Sequence, residues 1–534
     1  MRDKLGHQFY GRFSKSIVAS SAAISLAVLV GWWPLVILAT AWLYYAFKNI
    51  NTRSGKKLLW AVFCANFCYM LILTWWFSRI EPAGWLQTIG PFSPSTWLLI
   101  VLLIINLLSS FVVAFSIYLT VKLSNKIDIN FPKTILPLIF ALIMLLHELI
   151  RSTLFAIFTH AKSTPIEPLW NIFSVGSVLA DATLLNNWYP WLGLWGVSFV
   201  FYLFVALILE AKKAPFKNLG LVLLILLVPT VFNFYGSSQN TQKVQVILLS
   251  LQNEAKLSQS LNDEIDSADP SVQILIVLPE YSNLSTSPTL LPSSSIRSQI
   301  APKLALKPKL LIANTEHSTN NNSSYVESYI LGRDNKKQNQ TAKRFLVPGG
   351  EYIIRWAHWV FARIDPIAAI EFQKNRGRSV ILQSDVIHES TPIPAQINVA
   401  VSACSSIMTP YEINKQIASG AQIVAVNVSY EQFQKTGQYS KVVERFSKVI
   451  ARSTKRTVLV SALKGPAVLT EPNGKQIKSN DTINTTAVTN SKKSLYTRWG
   501  DKKIVLMIIL VSTLILHFVS YKNRIYKSGG NWAM

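Results

Sequence analysis

The chain has 534 residues, of which 50% are hydrophobic and only 15% are charged. Soluble proteins average about 25% charged residues, so this composition excludes an ordinary soluble protein and favours one partly solvated by lipid. The net charge of +25 fits a membrane protein whose cytoplasmic loops are rich in lysine and arginine. Binding to nucleic acid is not indicated, because no basic block with interleaved aromatic residues stands on a soluble module.

Long apolar segments predict eight membrane-spanning helices, since a helix needs about 20 apolar residues to cross a bilayer. The first segment, Ile17–Phe47, is interrupted by Gly31-Trp-Trp-Pro34, which predicts two short helices joined by a turn. A signal peptide is the alternative for the first of these, but no convincing cleavage site follows it. The other predicted spans are Leu58–Phe77, Trp97–Val121, Thr134–Phe158, Trp188–Leu209, Leu219–Phe234 and Ile504–Tyr521.

Basic residues alternate from one side of these spans to the other. They cluster before the first span and after the second, fourth, sixth and eighth, whereas the shorter intervening loops hold one or none. By the positive-inside rule, both termini are cytoplasmic and the large polar insert is outside. We therefore expect a seven-helix membrane domain over residues 1–235, an extracytoplasmic domain over 236–501, and a final span with its tail over 502–534.

Short apolar segments recur in the insert and predict strands, several of them buried on both faces. They are Val244–Leu251, Val272–Leu278, Leu310–Ala313, Tyr325–Leu331, Ile397–Ala403, Ile423–Val428 and Val458–Ala462. Helical segments such as Pro410–Ser419 and Tyr439–Ser453 separate some of them, which favours an α/β sandwich. We expect His317–Ser324 to be a loop, and Asn473–Arg498 to be a hairpin followed by a tether to the last span.

Three residue types in the insert indicate nucleophilic catalysis. Glu280 and Cys404 each close an apolar strand, and strand ends are where α/β sheets bind ligands. A carboxylate in an apolar pocket can take a proton from a thiol, the thiolate is the nucleophile, and an ammonium such as Lys343 stabilises an oxyanion. Each residue alone is more often structural, as a core cysteine, a helix cap or a solvated charge. Only their combination favours an enzyme.

The fifth predicted span contains Glu148 and Arg151, with His147 beside them. Ionisable residues within a membrane are costly and usually face a protein interior or an aqueous cavity. Glu148 and Arg151 are therefore candidates either for membrane-side contacts with a substrate or headgroup, or for a structural ion pair. The sequence shows neither a cluster of metal ligands nor a phosphate-binding loop, so no metal and no cofactor are expected.

The segment Lys343-Arg-Phe-Leu-Val-Pro-Gly-Gly-Glu-Tyr352 resembles K-R-H-L-V-P-F-G-E-Y, a motif of the bacterial apolipoprotein N-acyltransferases. That family is a membrane-embedded branch of the nitrilase superfamily. Leu278-Pro-Glu280 resembles its W-P-E motif, and Gly420–Ser429 resembles its segment ending in N-V-S. The resemblance covers nearly all of the chain. It implies a multi-pass bundle of eight helices, with a nitrilase-like α-β-β-α sandwich between the seventh and the eighth.

The resemblance also implies a Glu-Lys-Cys triad and a reaction. Glu280 would be the general base, Lys343 the oxyanion stabiliser, Cys404 the acyl carrier, and Glu351 a supporting acid. Cys404 would take a fatty acyl chain from a phospholipid and pass it to the amine of a diacylglyceryl-cysteine apolipoprotein, with ping-pong kinetics. The implied location is the bacterial cytoplasmic (inner) membrane, with the catalytic domain on the extracytoplasmic side, and we expect a monomer.

Two departures from the family pattern stand near the nucleophile. Ser405-Ser406 follow the cysteine where the family usually has Tyr-Glu, and Tyr430-Glu-Gln-Phe433 replaces N-D-A-W-F. Two other functions stay open: a membrane-anchored amidase, in which water attacks the thioester, and a lipoprotein-binding relative with little turnover. Eight spans favour transfer over hydrolysis, and the joint presence of the three triad residues favours an enzyme. A transporter would rest on Glu148 and Arg151 alone.

Overall fold

The computed structural model of the protein describes residues 2–48, 55–80, 93–127, 135–160, 171–212, 215–234, 241–253, 256–280, 282, 284, 295–320, 323–343, 345–348, 354–364, 397–433 and 436–529. The α-helices in this part of the chain are α1 (Arg2–Val30), α2 (Trp33–Lys48), α3 (Gly55–Thr74), α4 (Pro94–Ile127), α5 (Leu136–Phe158), α6 (Gly176–Leu179), α7 (Tyr189–Glu210), α8 (Pro215–Phe234), α9 (Leu257–Ser267), α10 (Ile296–Leu306), α11 (Arg355–Ile364), α12 (Pro410–Ala418), α13 (Gln438–Thr454) and α14 (Leu495–Gly529). The strands there are β1 (Lys243–Leu248), β2 (Ser250–Leu251), β3 (Ile274–Val277), β4 (Leu310–Asn320), β5 (Ser323–Leu331), β6 (Lys337–Ala342), β7 (Val399–Ala403), β8 (Ile423–Ser429), β9 (Val458–Leu463), β10 (Ala467–Thr470), β11 (Gln476–Ser479) and β12 (Ile483–Val488).

Helices α1 to α5, α7, α8 and α14 occupy the positions of the eight predicted spans. By length and composition, five segments of the described chain can cross a membrane: Lys56–Arg79, Ser95–Leu119, Leu136–Phe158, Leu185–Glu210 and Leu495–Val519. The apolar parts of α1 and α8 are shorter, and α2 has 16 residues. The chain is therefore a membrane protein, while the crossing of the bilayer by all eight helices stays a prediction.

Glycines permit two close features of the bundle. Gly31 lies between α1 and α2 with φ 85°, in the left-handed region that glycine tolerates, so the predicted turn is present. Gly193 lets α7 approach α14, because a Cβ atom at this position would lie 2.2 Å from the ring of Tyr496. The outer faces of the helices leave large apolar side chains exposed, as lipid permits. These include Trp60, Phe111, Leu223, Leu514 and Phe518.

The insert folds into two six-stranded sheets. The first has the order β12-β1-β3-β4-β5-β6, with β1, β3 and β4 mutually parallel and the remaining pairs antiparallel. The second has the order β11-β10-β9-β8-β7, with β2 pairing with β9, and its β7, β8 and β9 are parallel. The parallel strands are the continuously apolar segments of the sequence, as expected for strands covered on both faces.

Apolar side chains hold these sheets in four layers. Between the sheets, Leu275 and Leu311 of the first share one buried cluster with Val401 and Leu459 of the second. The outer face of the first sheet packs on α9 and α10, and that of the second packs on α12 and α13. Each buried valine or leucine side chain contributes about 1.5–3 kcal/mol. The arrangement is an α-β-β-α sandwich, as the sequence predicts.

Two predictions of polar segments are wrong. Most of His317–Ser324 is strand rather than loop, because β4 runs to Asn320 and β5 begins at Ser323 as its antiparallel partner. Within Asn473–Arg498, β11 pairs with β10 of the second sheet while β12 pairs with β1 of the first. These strands therefore do not form a hairpin with each other. In both cases the pairing partner decides the structure of a polar segment, and polar sequence does not identify that partner.

The sandwich rests on the bundle through its α13 layer and through α11. Arg445 of α13 donates hydrogen bonds to the carbonyl oxygens of Val28 and Leu29 in the last turn of α1, the latter at 3.4 Å. The indole Nε1 of Trp356 in α11 donates to the carbonyl of Phe158 at the end of α5, at 2.8 Å. Unpaired carbonyls at helix ends are natural acceptors. The two domains are thus joined by polar caps on the helix ends.

Candidate active site

Glu280 and Cys404 come from different sheets, which meet where their parallel strands end. The backbone N–H of Glu280, just after β3, donates to the carbonyl of Val428 in β8 at 3.3 Å. The buried side chain of Asn427 donates to the carbonyl oxygens of Leu278 and Ala313 in the first sheet. Strand ends are where open α/β sheets bind ligands. These cross-sheet hydrogen bonds bring the β3 end and the β7 end to one place.

A buried carboxylate–ammonium pair lies at this junction. Lys343 Nζ donates to Glu280 Oε1 at 2.8 Å, and each side chain is only 1% exposed. Glu280 Oε2 accepts from the backbone N–H of Ser429 at 3.2 Å. Lys343 follows β6, and its own N–H donates to the carbonyl of Val326 at 2.8 Å. A buried ion pair needs such additional hydrogen bonds to offset desolvation, and they fix the carboxylate in one orientation.

Cys404 occupies a strained position at the end of β7. It is 3% exposed and begins a short 3₁₀ turn, Cys404–Met408. Its φ of 44° lies in the left-handed region, which costs an L residue about 1–2 kcal/mol. Its sulfur is 3.9 Å from the carbonyl oxygen of Ser429. Ser429 therefore contacts the thiol through its C=O and Glu280 through its N–H, so the nucleophile and the base share one residue.

The sulfur has a second polar neighbour, Tyr439, whose hydroxyl oxygen is 3.1 Å from Cys404 Sγ. Burial, and then the charges of the neighbouring Cys404 and Glu280, raise the pKa of Tyr439 well above its ordinary value. The hydroxyl therefore keeps its proton and can donate to a thiolate. Sequence reasoning missed this residue. A tyrosine at the start of a helix carries no catalytic signal, and its approach to the sulfur depends on how α13 packs.

Aromatic rings connect this tyrosine to the bundle. The ring of Tyr439 stacks on Phe433, with centroids 4.1 Å apart, and meets Tyr430 edge-on at 5.8 Å. Its centroid lies 6.2 Å from that of Trp76, in the short 3₁₀ turn Trp75–Arg79 that follows α3. Tyr430 packs against Gly465, where a Cβ atom would lie 2.0 Å from the ring. The thiol is thus enclosed by aromatic side chains that continue into the membrane domain.

Ser405, which together with Ser406 replaces the Tyr-Glu usual in the resembled family, has a structural role. The Ser405 hydroxyl donates to the carbonyl of Phe345, two residues after Lys343. Both Ser405 and Ser406 are buried. The serine therefore ties the turn that carries the nucleophile to the segment that carries the lysine. A carboxylate that the family usually has at this turn is replaced by neutral hydroxyl groups.

The structure brings together Glu280, Lys343 and Cys404, and it places the other predicted site residues elsewhere. Glu351 lies outside the described residues. Glu148 and Arg151 lie in α5 within the bundle, and no ion pair joins them in the described part of the chain. Glu148 Oε1 accepts from the backbone N–H of Val175 at 3.0 Å and from the Tyr202 hydroxyl at 2.6 Å. Across the described ranges, no three histidine, cysteine or acidic side chains form a group that could hold a metal ion.

Among solved structures, the chain is similar to Nit3 of Saccharomyces cerevisiae, a member of branch 10 of the nitrilase superfamily. The identity is 14% and the TM-score 0.33, over 47% of this chain and 90% of that chain. It is also similar to a mutant of the Nesterenkonia AN1 amidase from the nitrilase superfamily, with 9% identity and a TM-score of 0.31, over 48% and 93% of the two chains.

A search of curated proteins finds no match to the sequence. The family model described as the apolipoprotein N-acyltransferase N-terminal domain matches residues 20–207. This range covers helices α2 to α6, most of α7 and the C-terminal part of α1. The match supports the resemblance to this family over residues 20–207, where the chain is similar to the N-terminal domain of the apolipoprotein N-acyltransferases.

Proposed function

We propose that this protein is an N-acyltransferase of the bacterial cytoplasmic membrane, with its sandwich domain on the extracytoplasmic side. It takes a fatty acyl chain from a phospholipid onto Cys404 and transfers it to the amine of a diacylglyceryl-cysteine apolipoprotein. The observation that carries the proposal is the contact of Glu280 and Cys404 with the same residue, Ser429, beside the buried Lys343. A base, a cation and a strained nucleophile at one strand edge suit acyl transfer through a thioester.

In the first half-reaction, Glu280 takes the proton of the Cys404 thiol, and the thiolate attacks the ester carbonyl of the phospholipid. Lys343 stabilises the oxyanion of the tetrahedral intermediate. The C–O bond to the glycerol then breaks, and Glu280 returns the proton to the leaving oxygen. The products are the acyl thioester on Cys404 and a lysophospholipid.

In the second half-reaction, the α-amine of the apolipoprotein attacks the thioester carbonyl. Glu280 accepts a proton from the amine as the amide bond forms, and the C–S bond breaks. The Tyr439 hydroxyl, 3.1 Å from the sulfur, stabilises the departing thiolate as a hydrogen-bond donor. Glu280 then passes the proton that it took from the amine to the Cys404 thiolate, which restores the thiol and the carboxylate for the next acyl transfer without a cofactor.

The surroundings of the thiol support transfer over hydrolysis. Cys404 is 3% exposed and shares one apolar cluster with residues of the bundle. Exclusion of water protects a thioester until an amine arrives. The amidase alternative uses the same three residues but needs water at this buried sulfur.

Intact-mass spectrometry tests the proposal on the purified full chain incubated with phospholipid, beside Cys404→Ala. We expect a fatty-acyl adduct that hydroxylamine removes and that Cys404→Ala lacks. Adding a diacylglyceryl-cysteine peptide should then discharge the adduct into N-acylated peptide. Release of free fatty acid instead of acylated peptide would favour the amidase. A folded protein that forms no adduct would contradict acyl transfer from phospholipid and would favour an amidase of another substrate or the binding relative.

A further inference from the structure

The membrane domain contains a cavity of about 290 Å³ within its helices. Helices α1, α2, α3, α4, α5 and α7 contribute to the walls, which are almost entirely apolar. Representative lining residues are Ile24, Phe47, Ala65, Val113 and Phe140. An apolar cavity of about 150 Å³ already binds benzene or xenon in preference to water. A cavity of this size and polarity therefore suits a hydrocarbon group.

Arg151 lies on the wall of this cavity and is only 3% exposed. Its guanidinium carbon is 3.9 Å from the centroid of the Tyr69 ring, and its Nε donates to the carbonyl of His147 at 3.3 Å. In the part of the chain that the structure describes, Arg151 Nη1 has no hydrogen-bond partner, and neither does His147 Nε2 on the same wall.

Among the described residues no carboxylate forms a direct ion pair with this guanidinium, although the charges of Glu148 and Arg151 interact at longer range. The neighbouring Glu148 is held by Val175 and Tyr202 instead. A cation within the bilayer that lacks a directly paired counter-ion is costly, and cation–π contact with Tyr69 offsets only about 2 kcal/mol. An anion placed on the cavity side of Arg151 would pair the free Nη1 and lower that cost.

We propose that the cavity binds a single-chain amphiphile with an anionic headgroup. The carboxylate or phosphate of this ligand pairs with Arg151, and its hydrocarbon chain runs along the apolar walls towards Phe47 and Leu58. Along α3 the lining extends from Leu58 to Tyr69, which is roughly 16 Å at 1.5 Å per residue. That length suits the chain of a fatty acid or of a lysophospholipid.

The cavity is separate from the catalytic junction. Tyr69 lies about two helical turns before Trp76, the residue that contacts Tyr439. The cavity lining includes none of Glu280, Lys343, Cys404 and Tyr439, so binding at Arg151 can be measured without acyl transfer. The cavity proposal can fail while the acyltransferase proposal holds, and the reverse is also true.

Equilibrium binding to the delipidated full chain tests the proposal with three probes of equal chain length: palmitate, palmitoyl lysophosphatidylglycerol and hexadecanol. We expect Arg151→Gln to weaken binding of the anionic probes by about tenfold or more, since a hydrogen bond to a charged group is lost. Hexadecanol should bind the wild type and Arg151→Gln equally. The anionic probe that binds the wild type more tightly identifies the headgroup as carboxylate or phosphate.

Arg79→Gln is the matched control. Arg79 is exposed and also lies over an aromatic ring, 4.7 Å from the centroid of Trp75, but it does not line the cavity. This variant should bind all three probes as the wild type does. Equal binding of the anionic probes by the wild type and Arg151→Gln would overturn the role of Arg151.

A second measurement does not depend on the stability of the arginine variant. Photolabelling of the wild type with a palmitate that carries a diazirine near its chain end should mark peptides of α2 and α3 around Phe47 and Leu58. Ala65→Phe, which fills the cavity with a larger side chain, should abolish this labelling. Labels confined to the outer faces of the helices would show that the cavity is not occupied, and would overturn the proposal.

Discussion

Cys404 combines burial with a left-handed backbone conformation that suits glycine better than cysteine. Its φ is 44°, whereas the preceding Ala403 is extended with φ −111°. The neighbouring strand β8 and the 3₁₀ turn after Cys404 hold this conformation in place. Strain of this kind persists only where the surrounding structure imposes it, and it is common at reactive residues.

Replacing Cys404 by glycine should therefore give a more stable protein than replacing it by alanine, although both lose the nucleophile. We expect a difference of about 1 kcal/mol, because glycine relieves the strain while alanine retains it. Thermal unfolding of the two variants in the same detergent measures it. Ala403→Gly is the control, and it should lower stability because Ala403 is extended. A glycine variant no more stable than the alanine variant would show that no strain is stored at Cys404.

Tyr439→Phe should slow formation of the acyl thioester by about tenfold or more, because a hydrogen bond to a charged acceptor contributes about 1.5–3 kcal/mol. The ring and its stacking on Phe433 remain. The pKa of Tyr439 is raised, so its hydroxyl stays protonated at and below its ordinary pKa of 10. The wild-type rate should therefore show no loss of this donor between about pH 6 and 9. In Tyr439→Phe, the acidic limb of the rate profile should move to higher pH.

The control for this experiment is Tyr430→Phe. Tyr430 is also buried against Tyr439, but its hydroxyl has no hydrogen-bond partner among the residues that the structure describes. Its loss should leave the rate and its pH dependence close to those of the wild type. Similar defects in both variants would mean that aromatic packing matters here and the hydroxyl does not.

At the residue scale, the sequence indicated Glu280, Lys343 and Cys404 as one candidate site. In the structure Glu280 contacts Lys343 and is linked to Cys404 through Ser429, while the catalytic roles of the three stay a prediction. Their chemical types are distinctive, and two of them close apolar strands whose ends share an edge. Tyr439 and Ser429 could not be predicted in the same way. Ser429 acts through its backbone, which every residue possesses, and Tyr439 acts through the packing of α13 against the turn after β7.

At the element scale, strands β4, β5 and β6 are joined by a buried charge cluster. Lys337 of β6 pairs with Glu316 of β4 and with Glu327 of β5, the latter at 2.9 Å. The Lys337 ammonium also lies 4.7 Å from the ring centroid of Tyr329, whose hydroxyl donates to Glu316 at 2.9 Å. Burial by itself lowers the pKa of Lys337, but hydrogen bonds to the two glutamates outweigh it and raise the pKa above its ordinary value.

Lys337→Met should destabilise the sandwich by about 3 kcal/mol, because it removes the cation that pairs with two buried carboxylates. Lys303→Met is the control: its pair with Asp266 is exposed, so we expect less than about 1 kcal/mol. Since the pKa of Lys337 is raised, its contribution is fully present below the ordinary value of 10.5 and is lost only as pH rises through the raised value. Chemical unfolding at pH 6 and pH 9 should therefore give the same difference from wild type. A small effect at both pH values would contradict the cluster's role.

Element prediction succeeds here where a segment is apolar and fails where it is polar. The continuously apolar strands β3, β7, β8 and β9 could be predicted because burial on both faces leaves a clear pattern. The ends of β4 and β5 and the pairing of β11 and β12 could not. Polar strands take their structure from the strands beside them, and side-chain type does not specify which strand that is.

On the scale of the whole molecule, Arg445 fastens the sandwich to the bundle by capping the last turn of α1. Burial lowers the pKa of Arg445 to about 10, so the side chain is still charged near neutral pH. A cation at a helix C-terminus is stabilised by the helix dipole as well as by hydrogen bonds. Its partners are the carbonyls of Val28 and Leu29, immediately before the turn at Gly31.

Arg445→Met should lower stability by about 2 kcal/mol and loosen the turn between α1 and α2, since it leaves two carbonyl groups without their donor. Hydrogen–deuterium exchange in peptides covering residues 28–36 should become faster. Arg333→Met, which removes a charge from an exposed turn of the sandwich, should leave exchange in those peptides unchanged. Unaltered protection in Arg445→Met would show that other contacts hold the domains together.

Hydropathy was sufficient to predict where the apolar helices lie, while the orientation inferred from charge alternation stays a prediction. They could not reveal the cavity beside Arg151, because a void is created by side chains from six helices and belongs to no single one. The sequence could also only pose the question of whether Glu148 and Arg151 form an ion pair. In the structure Glu148 instead accepts hydrogen bonds from the backbone N–H of Val175 and the hydroxyl of Tyr202, which both lie later in the chain.

The enclosure of Cys404 by Tyr439, Phe433 and Trp76 determines which reagents can reach the sulfur. With 3% of the residue exposed, a charged reagent dissolved in water meets almost no accessible surface. A small reagent that partitions into lipid can approach from the side of the bundle, where the aromatic rings continue. Selective inhibition of this site therefore depends first on the oil–water partition of an electrophile and only second on its intrinsic reactivity towards thiols.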